Sequence, residues 1–325
     1  MPQSSQDMRD AFFDELAIVA ERDERIVFFT ADHGAQSLDA FQAKFPDRFY
    51  NIGIAEQNMV SMAGGLASKG KIPVVYGIAP FVSLRALEQV TLDVASMNLP
   101  VTIVGIGPGF CYSTDGYTHH GLQDLGAMAT VPNLTILNSS DPMSTRLFAS
   151  EIGSEMAPQY IRIEKGHLKT LERVENRWQA NGFGTVKQGS KKVVVITTGS
   201  ITHEVIKACE DIEAELGFVP TVIDVHRLKP LPAAELAALI SEADETFIVE
   251  ENYVFLAKEL ALELSLRGQA SKISSLSVQE KFFSEGASRE FMRNLAGISV
   301  SEIGTWIVRS YLDSAESPSS QTWDK

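Results

Sequence analysis

Glu56 stands in the run Asn51-Ile52-Gly53-Ile54-Ala55-Glu56-Gln57, which has no basic residue close by in the local sequence. A helical pattern begins at once, with Met59, Val60, Met62, Ala63 and Leu66 at helical spacing. A carboxylate at the head of a buried helix costs free energy unless something pairs with it. Two roles fit: an acid in the first helical turn, where the helix dipole favours it, or a partner for a weakly basic ring nitrogen of a cofactor. A second segment with chemical potential is Asp115-Gly116-Tyr117-Thr118-His119-His120-Gly121. It follows the apolar run Leu99 to Val104, a buried strand leading into a polar, glycine-containing loop. Loops at strand ends are where open α/β sheets build sites. Read locally, His119 and His120 also fit a surface pair or a metal-binding pair. Between the two segments, Pro80 to Gln89 forms an apolar wall that starts a helix.

The elements that must position these residues follow a βαβ series. A helix over 9–21 leads to strands over 25–30, 72–76, 101–104, 134–137 and 159–163. A second series has strands over 192–200, 221–225 and 246–251. The expected fold is two α/β domains, each with a mostly parallel sheet covered by helices. Residues 1–170 form the first domain, 171–190 a glycine-containing linker, 191–313 the second domain, and 314–325 a polar, serine-rich tail.

Composition narrows the function. The formal net charge is −14, from 28 Lys and Arg against 42 Asp and Glu. There is no basic cluster, which excludes nucleic acid as the expected partner. Cys111 and Cys209 lie far apart and predict neither a disulfide framework nor a metal site. The first seven residues lack a charged-then-apolar targeting pattern, and no apolar run is long enough to cross a bilayer. A cytoplasmic protein is the expectation.

Taken together, the "GIAEQ" glutamate, the Phe81 wall and the "DGxTHHG" loop resemble the pyrimidine-binding half of the thiamine-diphosphate transketolase family. The resemblance runs over about residues 7 to 312 and includes Asp224-Val225-His226-Arg227-Leu228-Lys229-Pro230-Leu231 of a C-terminal domain. It implies that Glu56 hydrogen-bonds N1′ of the aminopyrimidine, shifting the 4′-amino group toward the imino form that deprotonates C2. The carbanion chemistry then belongs to the cofactor. Burial would raise the carboxyl pKa and make such proton sharing feasible. Phe81 falls where an aromatic ring packs on the pyrimidine, with Ile54 and Leu84 on the same pocket wall. Leu84 and Leu87 stand where relatives often carry further aromatics. Asp32 matches an aspartate near the cofactor at a subunit interface, and its local alternative is a strand-end carboxylate in a turn.

The family holds the diphosphate through Mg²⁺ with a Gly-Asp-Gly motif, and this sequence has none. The resemblance therefore implies the C-terminal half of a split transketolase. An N-terminal partner subunit would supply the diphosphate and metal site in an α2β2 assembly that contains a homodimer of this chain. On the substrate side, Asp115 matches the residue that recognises a donor hydroxyl, and His119 the one that contacts the donor carbonyl and developing oxyanion. His120 echoes deoxyxylulose-phosphate synthases, and its role stays open. Arg162 and Arg9 fall on arginines that grip the anionic end of a sugar, a group suited to guanidinium forks. Gln36 replaces a phosphate-binding serine and Gly107 a family histidine, which points away from ordinary sugar-phosphate recognition. The implied reaction moves a two-carbon ketol unit from a ketose to an aldose. A deoxyxylulose-phosphate-synthase-like or 2-oxo-acid dehydrogenase β-like subunit is the alternative.

Overall fold

The computed structural model of the chain describes residues 5–34, 36–175, 178–268 and 273–316. Val-, Ile- and Phe-rich runs such as Ile26–Thr30 and Thr102–Ile106 form strands buried along their whole length. That is the pattern of parallel strands covered on both faces. Seven strands make the first sheet, in the order Arg227–Lys229, Thr135–Asn138, Gln159–Ile163, Thr102–Ile106, Ile72–Ile78, Ile26–Thr30 and Phe49–Asn51. All neighbours run parallel except Arg227–Lys229, which pairs antiparallel with Thr135–Asn138.

Alternate side chains of one strand serve different layers. Val74 and Tyr76 pack with the helices Met8–Arg22 and Pro142–Ser150, while Val75 packs under the helix Glu56–Ala67. Asp7 and Asp141 start the first two of these helices. The Asp7 side chain accepts from the Arg9 amide, and Asp141 closes a capping box with Ser144.

The second sheet has five strands in the order Ile273–Ser277, Glu245–Glu250, Ser190–Thr197, Pro220–Val225 and Phe183–Lys187, parallel but for the last. Two expected boundaries are corrected here. Residues 171–190 are not a plain linker, because Trp178–Asn181 is helical and Phe183–Lys187 is an edge strand of the second sheet. The polar tail does not begin at Ser314, because the helix Val300–Glu316 runs through it; residues 317–325 lie outside the described residues.

The two domains are joined by buried charge as well as by apolar packing. Arg173 donates to Asp141 of the first domain and to Asp224 of the second, and its side chain is 1% exposed. The strand Arg227–Lys229 also leaves the second domain to extend the first sheet. Among the described residues, no helix is long and apolar enough to cross a membrane.

Candidate active site

The carboxyl ends of the first sheet's parallel strands gather the chemistry, as open α/β sheets do. Past Ile26–Thr30 comes Asp32, held at φ 56°, an unusual backbone for a non-glycine residue. Asn51 ends the neighbouring strand and fixes this turn. Its Oδ1 accepts from the Asp32 and Gly53 amides, each at 3.0 Å, and its Nδ2 donates to Asp32 Oδ1 at 3.3 Å. Gly53, at φ 73°, then turns the chain toward Glu56, the first residue of its helix.

Glu56 is 4% exposed, and the structure gives its carboxylate a partner that the local sequence does not show. Arg85 Nη1 donates to Glu56 Oε2 at 2.7 Å from 29 positions away. The Arg85 guanidinium also lies 4.3 Å from the Phe81 ring centroid, a contact worth about 0.5–1 kcal/mol at an exposed site. The expectation of an unpaired carboxylate is corrected accordingly: the turn Ala79–Val82 and the residues after it bring a cation to Glu56. Among the described residues, no donor is recorded on Glu56 Oε1.

His119 also meets Phe81, its ring centroid 5.1 Å away at an interplanar angle of 67°. Its Nδ1 lies 2.9 Å from Thr118 Oγ1. Glu56, Arg85, Phe81 and His119 thus form one chain of contacts. Asp115 is exposed on the same loop, three residues beyond Tyr112. Ile54, 77% exposed, and Leu84 lie at the protein surface beside the Glu56 helix and the Phe81 turn.

Tyr112 explains the departure at Gly107. A Cβ on Gly107, whose φ is 80°, would run into the Tyr112 ring, so that ring fills the space of a side chain at 107. Its hydroxyl reaches His33 Nε2 at 3.4 Å, and Lys165 Nζ lies 4.7 Å from its ring centroid. Burial pushes the His33 imidazole down to about 4, and the charges of Arg9, Lys165 and His119 push the same way. His33 is therefore neutral at pH 7. Arg9 and Lys165 make this end of the site cationic, although Asp7 binds Arg9 through both oxygens at 3.2 Å and offsets part of its charge.

Two expected substrate residues are buried. Arg162 is 1% exposed at the centre of the first sheet, its Nε and Nη2 donating to Asp124 at 2.9 and 3.2 Å and its Nη2 to the Gly121 carbonyl at 3.1 Å. A guanidinium enclosed in this way cannot grip an incoming anion. His120 is buried edge-on to Phe110, among Tyr253 and Phe283 of the second domain. Burial lowers its pKa, and its Nε2 has no partner among the described residues. Gln36 opens the helix Gln36–Lys44, and its side chain lies outside the described residues.

Arg85, His33, Tyr112 and Lys165 are functional candidates that the sequence reading missed. Lys165 had a legible signal: it is the second residue past the strand Gln159–Ile163, where a side chain can reach the sheet's carboxyl edge.

Residues 4–170 match the transketolase pyrimidine-binding domain and residues 182–301 the transketolase C-terminal domain. The chain is 32% identical over 224 residues to the 6-deoxy-6-sulfo-D-fructose transketolase subunit SqwH of Clostridium sp. (strain MSTE9), covering 69% of each chain. It is 32% identical over 214 residues to a subunit of the apulose-4-phosphate transketolase of Actinobacillus succinogenes, covering 66% of this chain and 68% of that one. A 1-deoxy-D-xylulose-5-phosphate synthase of Oleidesulfovibrio alaskensis is 33% identical over 245 residues, of which the match spans only 38%. Among solved structures, a split-gene transketolase described as an inactive β4 tetramer superposes with a TM-score of 0.83 at 26% identity, over 94% of this chain and 98% of that one. The fold and the matched domains define a thiamine-diphosphate-dependent transferase. The chain belongs to the transketolase family.

Proposed function

We propose that this chain is the pyrimidine-side subunit of a split transketolase that moves a two-carbon ketol unit from an anionic ketose to an aldose. The observation that carries the reading is a buried carboxylate, Glu56, beside a half-exposed ring, Phe81, with His119 on that ring's edge. A planar aminopyrimidine fits there: Glu56 Oε1 would accept from a ring N–H, and Phe81 offers a face. Arg85 rests on both groups, so an entering ring shares them or displaces a side chain that is 43% exposed. When bound, thiamine diphosphate supplies the carbon nucleophile and the electron sink for ketol transfer. This chain's residues hold the ring, keep a proton acceptor at N1′, and aim a hydrogen-bond donor at the substrate oxygen.

The diphosphate and Mg²⁺ fall to a partner subunit that carries the Gly-Asp-Gly motif, in an assembly with two copies of each chain. Exposed Ile54, Met62 and Leu92 lie on the segment leading into the Glu56 helix, on that helix and on the π-helical segment packed against it, and exposed Met97 follows that segment, giving an apolar surface for that contact. The anionic end of the sugar belongs with Lys165 and Arg9, next to neutral His33 and Tyr112, and not with Arg162. The two split-enzyme relatives are named for a sulfonated and a phosphorylated substrate, and both groups suit this cationic end. The split-enzyme reading is preferred to the synthase-like alternative because the two split-enzyme relatives match over about two thirds of their own length, against 38% for the synthase.

Reconstitution with the partner subunit, followed by incubation with sulfonated and phosphorylated ketoses and mass spectrometry of the products, tests the proposal. No ketol transfer from any anionic ketose would overturn it. Within that assay, His119→Ala is expected to lower kcat by about 10²–10³-fold, because the oxyanion it faces forms only along the reaction path. Lys165→Met should instead raise KM for an anionic donor about tenfold with a smaller change in kcat, since a remote charge mostly supplies uniform binding. An uncharged donor should respond little. Equal losses on both donors would place the anion elsewhere.

A further inference from the structure

We infer that the second domain is the positioning element for the loop that carries Asp115 and His119; its catalytic meaning rests on the reading above. The loop over 107–122 is closed at its base, where Gly109 and Gly121 exchange backbone hydrogen bonds at 2.8 and 2.9 Å. The first domain holds its ends, the Ile163 carbonyl accepting from the Gly107 amide at 2.9 Å and Arg162 Nη2 donating to the Gly121 carbonyl at 3.1 Å, and the second domain ties it at further points. Glu251 Oε1 accepts from the Phe110 amide at 2.9 Å. The Ala287 carbonyl accepts from Ser113 Oγ at 2.7 Å, and the Leu122 carbonyl accepts from the Tyr253 amide at 3.2 Å. The Phe283 ring meets Phe110 edge-on at 5.2 Å.

Glu251 is itself immobilised. Arg289 Nε donates to it at 2.8 Å and Arg293 Nη2 at 2.6 Å, while Arg289 also spans to Glu164 of the first domain at 2.7 Å. The glycine at 109 is part of the same seat. A Cβ there would lie 2.7 Å from Glu251 Oε1, so the loop's backbone is shaped to admit the carboxylate. His120 and Phe110 fill the space between loop and second domain.

A loop tied at three hydrogen-bonded points and one ring by groups from another domain has little freedom of its own. The position of His119 against Phe81 then depends also on residues more than 130 positions further along the chain. Glu251 and Phe283 are positioning residues: they touch neither substrate nor cofactor.

The test uses the full chain, alone and reconstituted with its partner subunit, in the variants Phe283→Ala and Glu251→Gln. Ser113→Ala, which removes one tie without emptying a core site or stripping Arg289 and Arg293 of their carboxylate, covers the case in which those two variants misfold. Amide hydrogen exchange should rise about tenfold or more in peptides from 107–122 while peptides from 56–67 keep their protection. In the reconstituted enzyme, donor KM should rise and kcat fall, with thiamine diphosphate affinity unchanged, because Glu56 and Phe81 lie outside the clamp. Phe283→Leu should restore most of both. Unchanged exchange in 107–122, or equal loss of protection in 56–67, would overturn the inference. The exchange readout stands without any enzyme activity, so failure of the transketolase reading would leave it intact.

Discussion

Replacing Glu56 by Gln is expected to lower kcat of the reconstituted enzyme by about 10²–10⁴-fold, the span of general acid–base contributions. The substitution keeps the size of the side chain and a carbonyl oxygen. It removes the charge that Arg85 pairs with at 2.7 Å and the ability to share a proton with a ring nitrogen. Glu56 begins its helix, so the fold is expected to survive: an acid at that position stabilises a helix by about 0.3–1 kcal/mol. Two measurements separate chemistry from folding. Thermal unfolding of the variant should stay close to that of the parent chain, and exchange of the cofactor's C2 proton, followed by NMR in the reconstituted complex, should slow by the same order as turnover. Near-parental C2 exchange in Glu56→Gln would remove Glu56 from the catalytic role and leave it a helix-starting acid with an arginine partner.

The sequence reads well where one physical cause dominates. Ile26–Thr30 and Thr102–Ile106 are mostly apolar runs between turns, Gln159–Ile163 alternates polar and apolar residues, and each is a strand within a residue or two of its expected limits. Phe49–Asn51 and Arg227–Lys229 give no such signal, because three residues carry no period and only pairing with a neighbour makes them strands. Phe183–Lys187 reads as linker because its glycine and lysine are tolerated at a sheet edge. The site is legible in part: the resemblance that Glu56, Phe81 and His119 carry implies one chemistry, and in the structure Arg85 links Glu56 to Phe81, which His119 also contacts. Arg85 is not legible as a partner, because a local search around Glu56 stops well short of 29 positions. Gly107 reads as a loss until Tyr112, further along the same loop, is seen to fill its space.

Arg162 shows how a residue match can mislead and how burial corrects it. The strand Gln159–Ile163 is central in its sheet, with strands on both sides and layers on both faces, so its fourth residue has no route to the sheet's edge. Arg162 is instead the cation of a closed cluster. Asp124, 0% exposed, takes two of its donors and the Tyr160 hydroxyl at 2.6 Å. Removing one partner of such a pair strands the other charge in the interior, which costs about 3–5 kcal/mol. Arg162→Ala is therefore expected to lower the unfolding temperature by about 4–7 °C, given about 2.1 cal/mol/K of unfolding entropy per residue. The double variant Arg162→Met with Asp124→Leu should recover much of that, because an apolar pair of similar volume often replaces a buried ion pair without loss. Calorimetric scans of the three proteins decide the matter, together with donor KM for whichever of them folds. Should Arg162→Ala keep the parental unfolding temperature and raise KM for anionic donors alone, the arginine would be a substrate grip after all, reached by an opening of the first sheet that its burial and its bonds to Asp124 and Gly121 argue against.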